Sequence, residues 1–313
     1  MTGSATVLFF GTGEFAVPIL RALAADPRFR VRLVITQPDR PAGRGRRLKE
    51  SPVKRAGVLL DVEVWQPESV RHREARERLE GERADLYVVA AYGEMLPRSV
   101  LCLPRAGAIN VHPSLLPKYR GASPVQAAIL NGDRETGVTF ILMTERMDAG
   151  PMIGQYATQI GEAETAGELS ARLAALAAGT LPSILDRYLR GELTPIPQDE
   201  TRATYTRPLT KEDGRIDWRR SAVEIERLVR AMQPWPRAWT TVGGQRIIVL
   251  RGHACAGAPQ LQPGAILPLD SCLLVGTATD PFHLEMIVAQ GRRPTSGIDW
   301  WRGARLPDQT LFT

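Results

Sequence analysis

Asn110 and His112 close a short apolar run, AINVH, and Asp148 lies downstream in ERMDAG. These three residue types suit acyl transfer to an amine without a covalent nucleophile. A neutral histidine can take the proton from an attacking amine. A carboxylate beside it stabilises the imidazolium and fixes the ring. An asparagine amide can donate to the oxyanion that forms, a role costing about 3–4 kcal/mol when it is lost. Residues two apart on a strand point to one face, so Asn110 and His112 would project together. His112 is one of four histidines in the chain. It sits at a strand's carboxyl end, where open α/β sheets place their ligands. Asp148 is expected at the carboxyl end of the next strand, so that the three converge across neighbouring strand ends. Taken singly they have ordinary readings as a hydrogen-bonded histidine, an Asx turn and a helix cap. Set together they read as a catalytic group. Pro113 and Pro117 stiffen the loop that follows, which has few backbone donors and many accessible carbonyls. Such a loop could hold a flat heterocycle by its amide edge.

The elements that must carry these residues alternate between strand and helix. Ala5–Phe10, Val31–Thr36, Ala84–Ala91, Ala108–His112 and Val138–Met143 read as buried strands. Between them, Glu14–Ala24 has helical spacing, Ser69 could cap a charged helix through Leu79, and Ser123-Pro124 opens a helix closed by Asn131-Gly132. Continuous apolar strands separated by helices predict a doubly wound, mostly parallel sheet covered on both faces. Thr165 and Glu168 fit a capping box for a long helix that Gly191 ends. The Pro- and Thr-rich stretch 191–206 reads as a linker. Ala222, Ile225, Val229 and Met232 mark one more amphipathic helix. Short β runs broken by glycine and proline follow and predict a small β-barrel. The expected organisation is a catalytic domain over 1–190, a linker over 191–206 and a barrel domain over 207–313.

At 313 residues, with 43% apolar and 24% charged residues, the composition is that of a globular protein. No apolar run approaches the roughly 18 residues of a membrane-spanning helix, and a cytoplasmic location is expected. Cys102, Cys255 and Cys272 lack metal-site spacing, and the four histidines are scattered, so no metal is expected. Gly11, Gly13 and Ala16 spell G-x-G-x-x-A, a dinucleotide fingerprint. The acidic residue it needs at the end of the second strand is missing, because Thr36 is followed by Gln37-Pro38 and Asp39 comes late. A tight turn at Gly11 explains the match without NAD. Arg40, Arg44, Arg46, Arg47 and Lys49 crowd one loop, the layout of a polyanion-binding segment or of a solvated surface.

INVHPSLLPKYRGASPVQAAI, TGVTFILMTERMDAGPMI, ITQPDRPAGRGRRL and DGRIDW…PWPRAWT together resemble the methionyl-tRNA formyltransferases, within the wider family of 10-formyltetrahydrofolate-dependent formyltransferases. The resemblance runs from about residue 6 to residue 240, and more loosely beyond. It implies a Rossmann-like catalytic domain, an OB-like C-terminal barrel and formyl transfer from 10-formyltetrahydrofolate to initiator Met-tRNA. The Asn-x-His and Asp motif specifies the chemistry. The basic loop and the added C-terminal domain specify the acceptor. Asn110, His112 and Asp148 match the family's catalytic set. Ser114, Leu115, Leu116 and Pro117 match its folate-contacting stretch. Arg44, with Arg40, Arg46, Arg47 and Lys49, matches the segment that enters the tRNA acceptor region. No membrane and no obligate protein partner are implied. A formyltransferase acting on a sugar nucleotide or another small amine is the alternative. The chain departs from the family at Gly13, where proline is usual, at Ser123, where alanine is usual, and at Pro208, where a lysine is usual and Arg207 stands beside it.

Overall fold

A computed structural model describes residues 4–42, 47–304, 306 and 310–313. The chain divides into two compact units. The first comprises Met1–Pro124, Glu135–Gln159 and Ser170–Thr206, and the second comprises Val125–Arg134, Ile160–Leu169 and Arg207–Thr313.

In the first unit a seven-stranded sheet has the order Met152–Gln159, Glu135–Leu142, Ala108–His112, Leu86–Ala90, Ala5–Gly11, Phe29–Ile35, Val64–Trp65. The last five of these run parallel to one another. They wind in both directions from Ala5–Gly11, which puts the topological switch point between that strand and Leu86–Ala90. Val7, Leu8, Phe9 and Phe10 are fully buried, as a central strand covered on both faces requires.

Two strands depart from this direction or from expectation. Glu135–Leu142 runs antiparallel to Ala108–His112, with Ile109 opposite Leu142 and His112 opposite Thr139. Its carboxyl end therefore lies away from His112, which corrects the expectation of adjacent strand ends. Met152–Gln159 closes the edge antiparallel to it. Ser69 does not cap the charged helix, which spans Arg73–Gly81 with His72 at its N-cap position. The Ser69 hydroxyl is turned instead to the Glu94 carboxylate.

The glycines of the fingerprint have different roles. A Cβ on Gly11 would meet Phe9 at 2.8 Å, Ala16 at 2.9 Å and the Ala90 carbonyl at 3.1 Å, so close packing excludes a side chain there. A Cβ on Gly13 would meet only Ala91, at 3.8 Å. Asp39 is held by Lys54 at 2.5 Å and by Gln66 at 2.7 Å. The Lys54 ammonium keeps its carboxyl below the usual carboxylate range.

In the second unit the helix Ala222–Ala231 begins with a capping box between Ser221 and Glu224. The antiparallel strands follow the order Ala238–Val242, Gln245–Ala254, Phe282–Ala289, Leu273–Val275, Ile266–Pro268. The chain's last residues join the two edges of this curled sheet. Thr313 exchanges backbone hydrogen bonds with Thr241 at 2.9 Å each, and Leu311 bridges to Ala265. The result is the expected small barrel. Among the described residues, no helix is long and apolar enough to cross a membrane.

Candidate active site

Ala108–His112 has the length and bounds that its residue types predict. Asn110 and His112 share one face of it, while Ile109 and Val111 are buried on the other. Asp148 reaches them from the loop between the two antiparallel strands, which folds back along the sheet. Its Oδ1 accepts from Asn110 Nδ2 at 3.0 Å, and its Oδ2 accepts from the Gly121 backbone N–H at 2.8 Å. His112 Nδ1 lies 3.6 Å from the same Oδ2. The trio predicted from residue type therefore converges, by a route that its spacing did not suggest.

The tautomer of His112 follows from its second contact. Nε2 lies 2.9 Å from the Tyr119 carbonyl oxygen. A carbonyl only accepts, so Nε2 carries the proton and Nδ1 of the neutral ring presents a lone pair. His112 is 4% exposed, so the ring is fixed by its surroundings as well as by this bond. A proton taken up at Nδ1 creates a cation facing the Asp148 carboxylate. Asn110 spends one of its two amide hydrogens on Asp148, and the amide still has a second N–H to offer.

The loop after His112 is built differently from the sequence expectation. Most of its carbonyls are engaged within the unit. Those of His112 and Leu115 accept from the Ser114 and Lys118 amides, at 3.0 and 3.1 Å. Those of Ser114 and Leu116 accept from Thr139 Oγ1 at 2.6 Å and Gln155 Nε2 at 2.9 Å. The Lys118 carbonyl takes the Ser114 hydroxyl at 2.6 Å. Ser114 and Leu116 are buried, whereas Leu115 and Pro117 are half-buried. The apolar surface that this stretch leaves partly exposed is that of Pro113, Leu115 and Pro117.

Several residues that shape the site carry no motif of their own. Arg120 is fully buried. It donates to Gln198 Oε1 through Nε at 3.1 Å and Nη2 at 2.8 Å, and to both Glu200 oxygens at 3.0 Å. Tyr205 Oη is also 3.0 Å from its Nη1. Arg146 reaches Glu200 from solvent at 2.9 Å. Hydrogen bonding to Arg120 first, and then to Arg146, holds the Glu200 carboxyl down at about 2. Arg120 stands in the quoted KYRGASP, but nothing in its spacing marks it as a hub. Gln198 and Glu200 lie in the stretch read as linker.

The basic loop begins and ends as a hairpin, Arg40–Ala42 pairing antiparallel with Arg47–Lys49. Arg40 and Lys49 are exposed, and the intervening Arg44 and Arg46 lie outside the described residues. Arg207, beside Pro208, is ion-paired with Asp213, whose Oδ2 lies 2.9 Å from Nη1. Two of the scattered histidines do meet in the second unit. His253 and His283 face one another across adjacent strands, with ring centres 5.1 Å apart, and Glu285 completes a group whose ligand atoms lie within 4.8 Å. Glu285 is already engaged there by Arg251 and by His253 Nδ1.

A family model described as formyl transferase matches residues 5–185, and one described as formyl transferase, C-terminal domain, matches residues 208–305. The chain belongs to the formyl transferase family. Among its relatives, the methionyl-tRNA formyltransferase of Roseiflexus sp. (strain RS-1) is 46% identical over 304 residues, which cover 96% of this chain and 93% of the relative. That of Methylococcus capsulatus is 42% identical over 307 residues, covering 98% and 99%. Two solved structures share the fold at low identity. An N-formyltransferase from Helicobacter canadensis, solved with folinic acid and dTDP-3-aminofucose, has a TM-score of 0.67 at 16% identity, over 92% of this chain and 99% of that one. HypX from Aquifex aeolicus, solved with tetrahydrofolic acid, has a TM-score of 0.62 at 16% identity, over 95% of this chain. This formyl transferase spans about half the length of HypX, 47% of that chain.

Proposed function

We propose that the protein transfers a formyl group from 10-formyltetrahydrofolate to the α-amino group of methionine on initiator tRNA, in the cytoplasm. The observation that carries the chemistry is the meeting of Asn110 and His112 Nδ1 at the Asp148 carboxylate. The choice of acceptor rests on the full-length relatives and on the basic hairpin.

In this reading the methionyl nitrogen attacks the formyl carbon directly. The carbonyl electron pair moves onto oxygen, where the Asn110 amide donates to it. His112 Nδ1 takes a proton from the attacking nitrogen, and Asp148 offsets the imidazolium charge. Collapse of the tetrahedral species breaks the bond to N10 of the folate, and the proton passes from His112 to that nitrogen. The chain's own residues thus supply base, acid and oxyanion donor. Leu115 and Pro117 offer apolar surface to the folate. Arg40, Arg44, Arg46, Arg47 and Lys49 contact the acceptor-stem phosphates.

The test is formyl transfer from 10-formyltetrahydrofolate to charged initiator tRNA, run beside elongator Met-tRNA and a nucleotide-linked amino sugar. Preference for the initiator supports the proposal. Transfer to the amino sugar with none to tRNA refutes it.

A further inference from the structure

The stretch from Gln198 to Thr206 is bonded to both backbone segments that aim the catalytic groups. Thr204 receives the Tyr119 N–H on Oγ1 at 2.8 Å and the Arg120 N–H on its carbonyl at 2.9 Å, and it donates its own N–H to the Pro117 carbonyl at 3.2 Å. Tyr205–Thr206 pairs with Arg120–Gly121 as a short parallel ladder. These bonds fix the Tyr119 carbonyl that sets the His112 tautomer. Gln198 does the corresponding work for Asp148. Its Nε2 donates to the carbonyls of Asp148 and Gly150, both at 2.8 Å, and its Oε1 takes two bonds from Arg120. All four hydrogen-bonding positions of the side-chain amide are used.

The need for such a tie is visible in the backbone. Asp148 has φ 48°, in the left-handed region that few non-glycine residues occupy, although aspartate tolerates it better than most. The turn must keep that conformation for Oδ1 to meet Asn110 while Oδ2 faces His112. Glutamate at 198 would satisfy Arg120 but has no hydrogens for the two carbonyls. Asparagine is one methylene too short.

We propose that Gln198 is a positioning residue for formyl transfer, anchored by Arg120 and acting through the Asp148 turn. The proposal rests on the formyl-transfer reading. Gln198→Glu is the first test, and Gln198→Met, of similar volume and uncharged, is the second. In each, kcat is expected to fall about 10- to 100-fold with KM for both substrates within about twofold, as for a small misplacement of a catalytic group. In an Asp148→Asn background the same changes should cost less than about twofold more, because residues acting through one another do not add. A further readout does not depend on activity. The Gly121 amide, donated to Asp148 Oδ2, should exchange about tenfold faster or more in Gln198→Glu. Near-wild-type kcat in both variants overturns the proposal, as do losses that multiply fully with Asp148→Asn, or unchanged Gly121 exchange. If the wild type transfers no formyl group, the functional reading fails instead, and Gly121 exchange alone decides for or against the tie.

Discussion

Asp148→Asn is the most demanding test of the catalytic reading, and its size can be worked from the geometry. Asparagine tolerates the left-handed backbone at least as well as aspartate, so φ 48° at this position survives the change. The first loss is charge. An imidazolium formed at Nδ1 lies 3.6 Å from Asp148 Oδ2. At an effective dielectric near 20, two unit charges at that distance attract by about 4–5 kcal/mol, about 1,000-fold or a few times more in rate if the cation is fully formed in the transition state. The second loss is orientation. The Gly121 N–H needs an acceptor, so the substituted amide would turn its oxygen there and its NH2 toward Asn110 Nδ2. Two donors would then face each other unless Asn110 flips, and flipping withdraws the N–H meant for the oxyanion. Single-turnover formyl transfer at saturating substrate is the assay. The expected result is a roughly 1,000-fold slower chemical step with the folate Kd and melting temperature nearly unchanged. A loss below tenfold would refute the assignment of His112 Nδ1 as the base supported by Asp148.

Three further outcomes follow from particular contacts. Gly11→Ala should destabilise the protein by about 1–3 kcal/mol through overpacking, whereas Gly13→Ala should stay within about 0.5 kcal/mol; urea denaturation separates the two. Arg40→Ala and Lys49→Ala should weaken tRNA use across sequences and each lower the slope of log K against log salt by about 1, leaving folate binding intact. Glu200, with its carboxyl held at about 2 by Arg120 and Arg146, contributes stability that is present above the unfolded carboxyl range and lost as pH falls toward its folded value. Glu200→Gln should therefore be less stable than wild type at pH 7, with the difference closing between about pH 5 and pH 2; thermal melts across that window check the sign.

Where local rules hold, the sequence was sufficient. Ala108–His112 is legible to the residue because Ile109 and Val111 alternate with Asn110 and His112 in a short run, and the two-residue spacing of a strand then puts Asn110 and His112 on one face. The Thr165–Glu168 capping box and the stop at Gly191 form as predicted, since both depend only on neighbours in the chain. Met152–Gln159 was not legible, because an edge strand with Gly154 and exposed alternate positions lacks the apolar signal. With that strand unseen, nothing marked Glu135–Leu142 as antiparallel. Gln198 and Glu200 were hidden for a different reason. Their partners are Arg120 and the Asp148 turn, reached by contacts across the fold, and the one short turn at Glu200–Arg202 gives the segment no period to read.

The two residues with left-handed backbone beside His112 explain why prediction stops where it does. Tyr119 and Asp148, at φ 65° and 48°, each occupy a conformation costing on the order of 1–3 kcal/mol for most side chains, and less for aspartate than for tyrosine. Neither conformation is favoured by the local sequence. Each is imposed by what it achieves: one turns a carbonyl onto Nε2, and the other turns a carboxylate toward Nδ1. Together they leave His112 with one nitrogen committed as donor and the other open as base. The bonds that offset their cost come from Thr204 and Gln198, in the one stretch whose sequence suggested only a connection. A site assembled against local preference must be held from outside itself, and here the holding segment is the chain's path into the second unit.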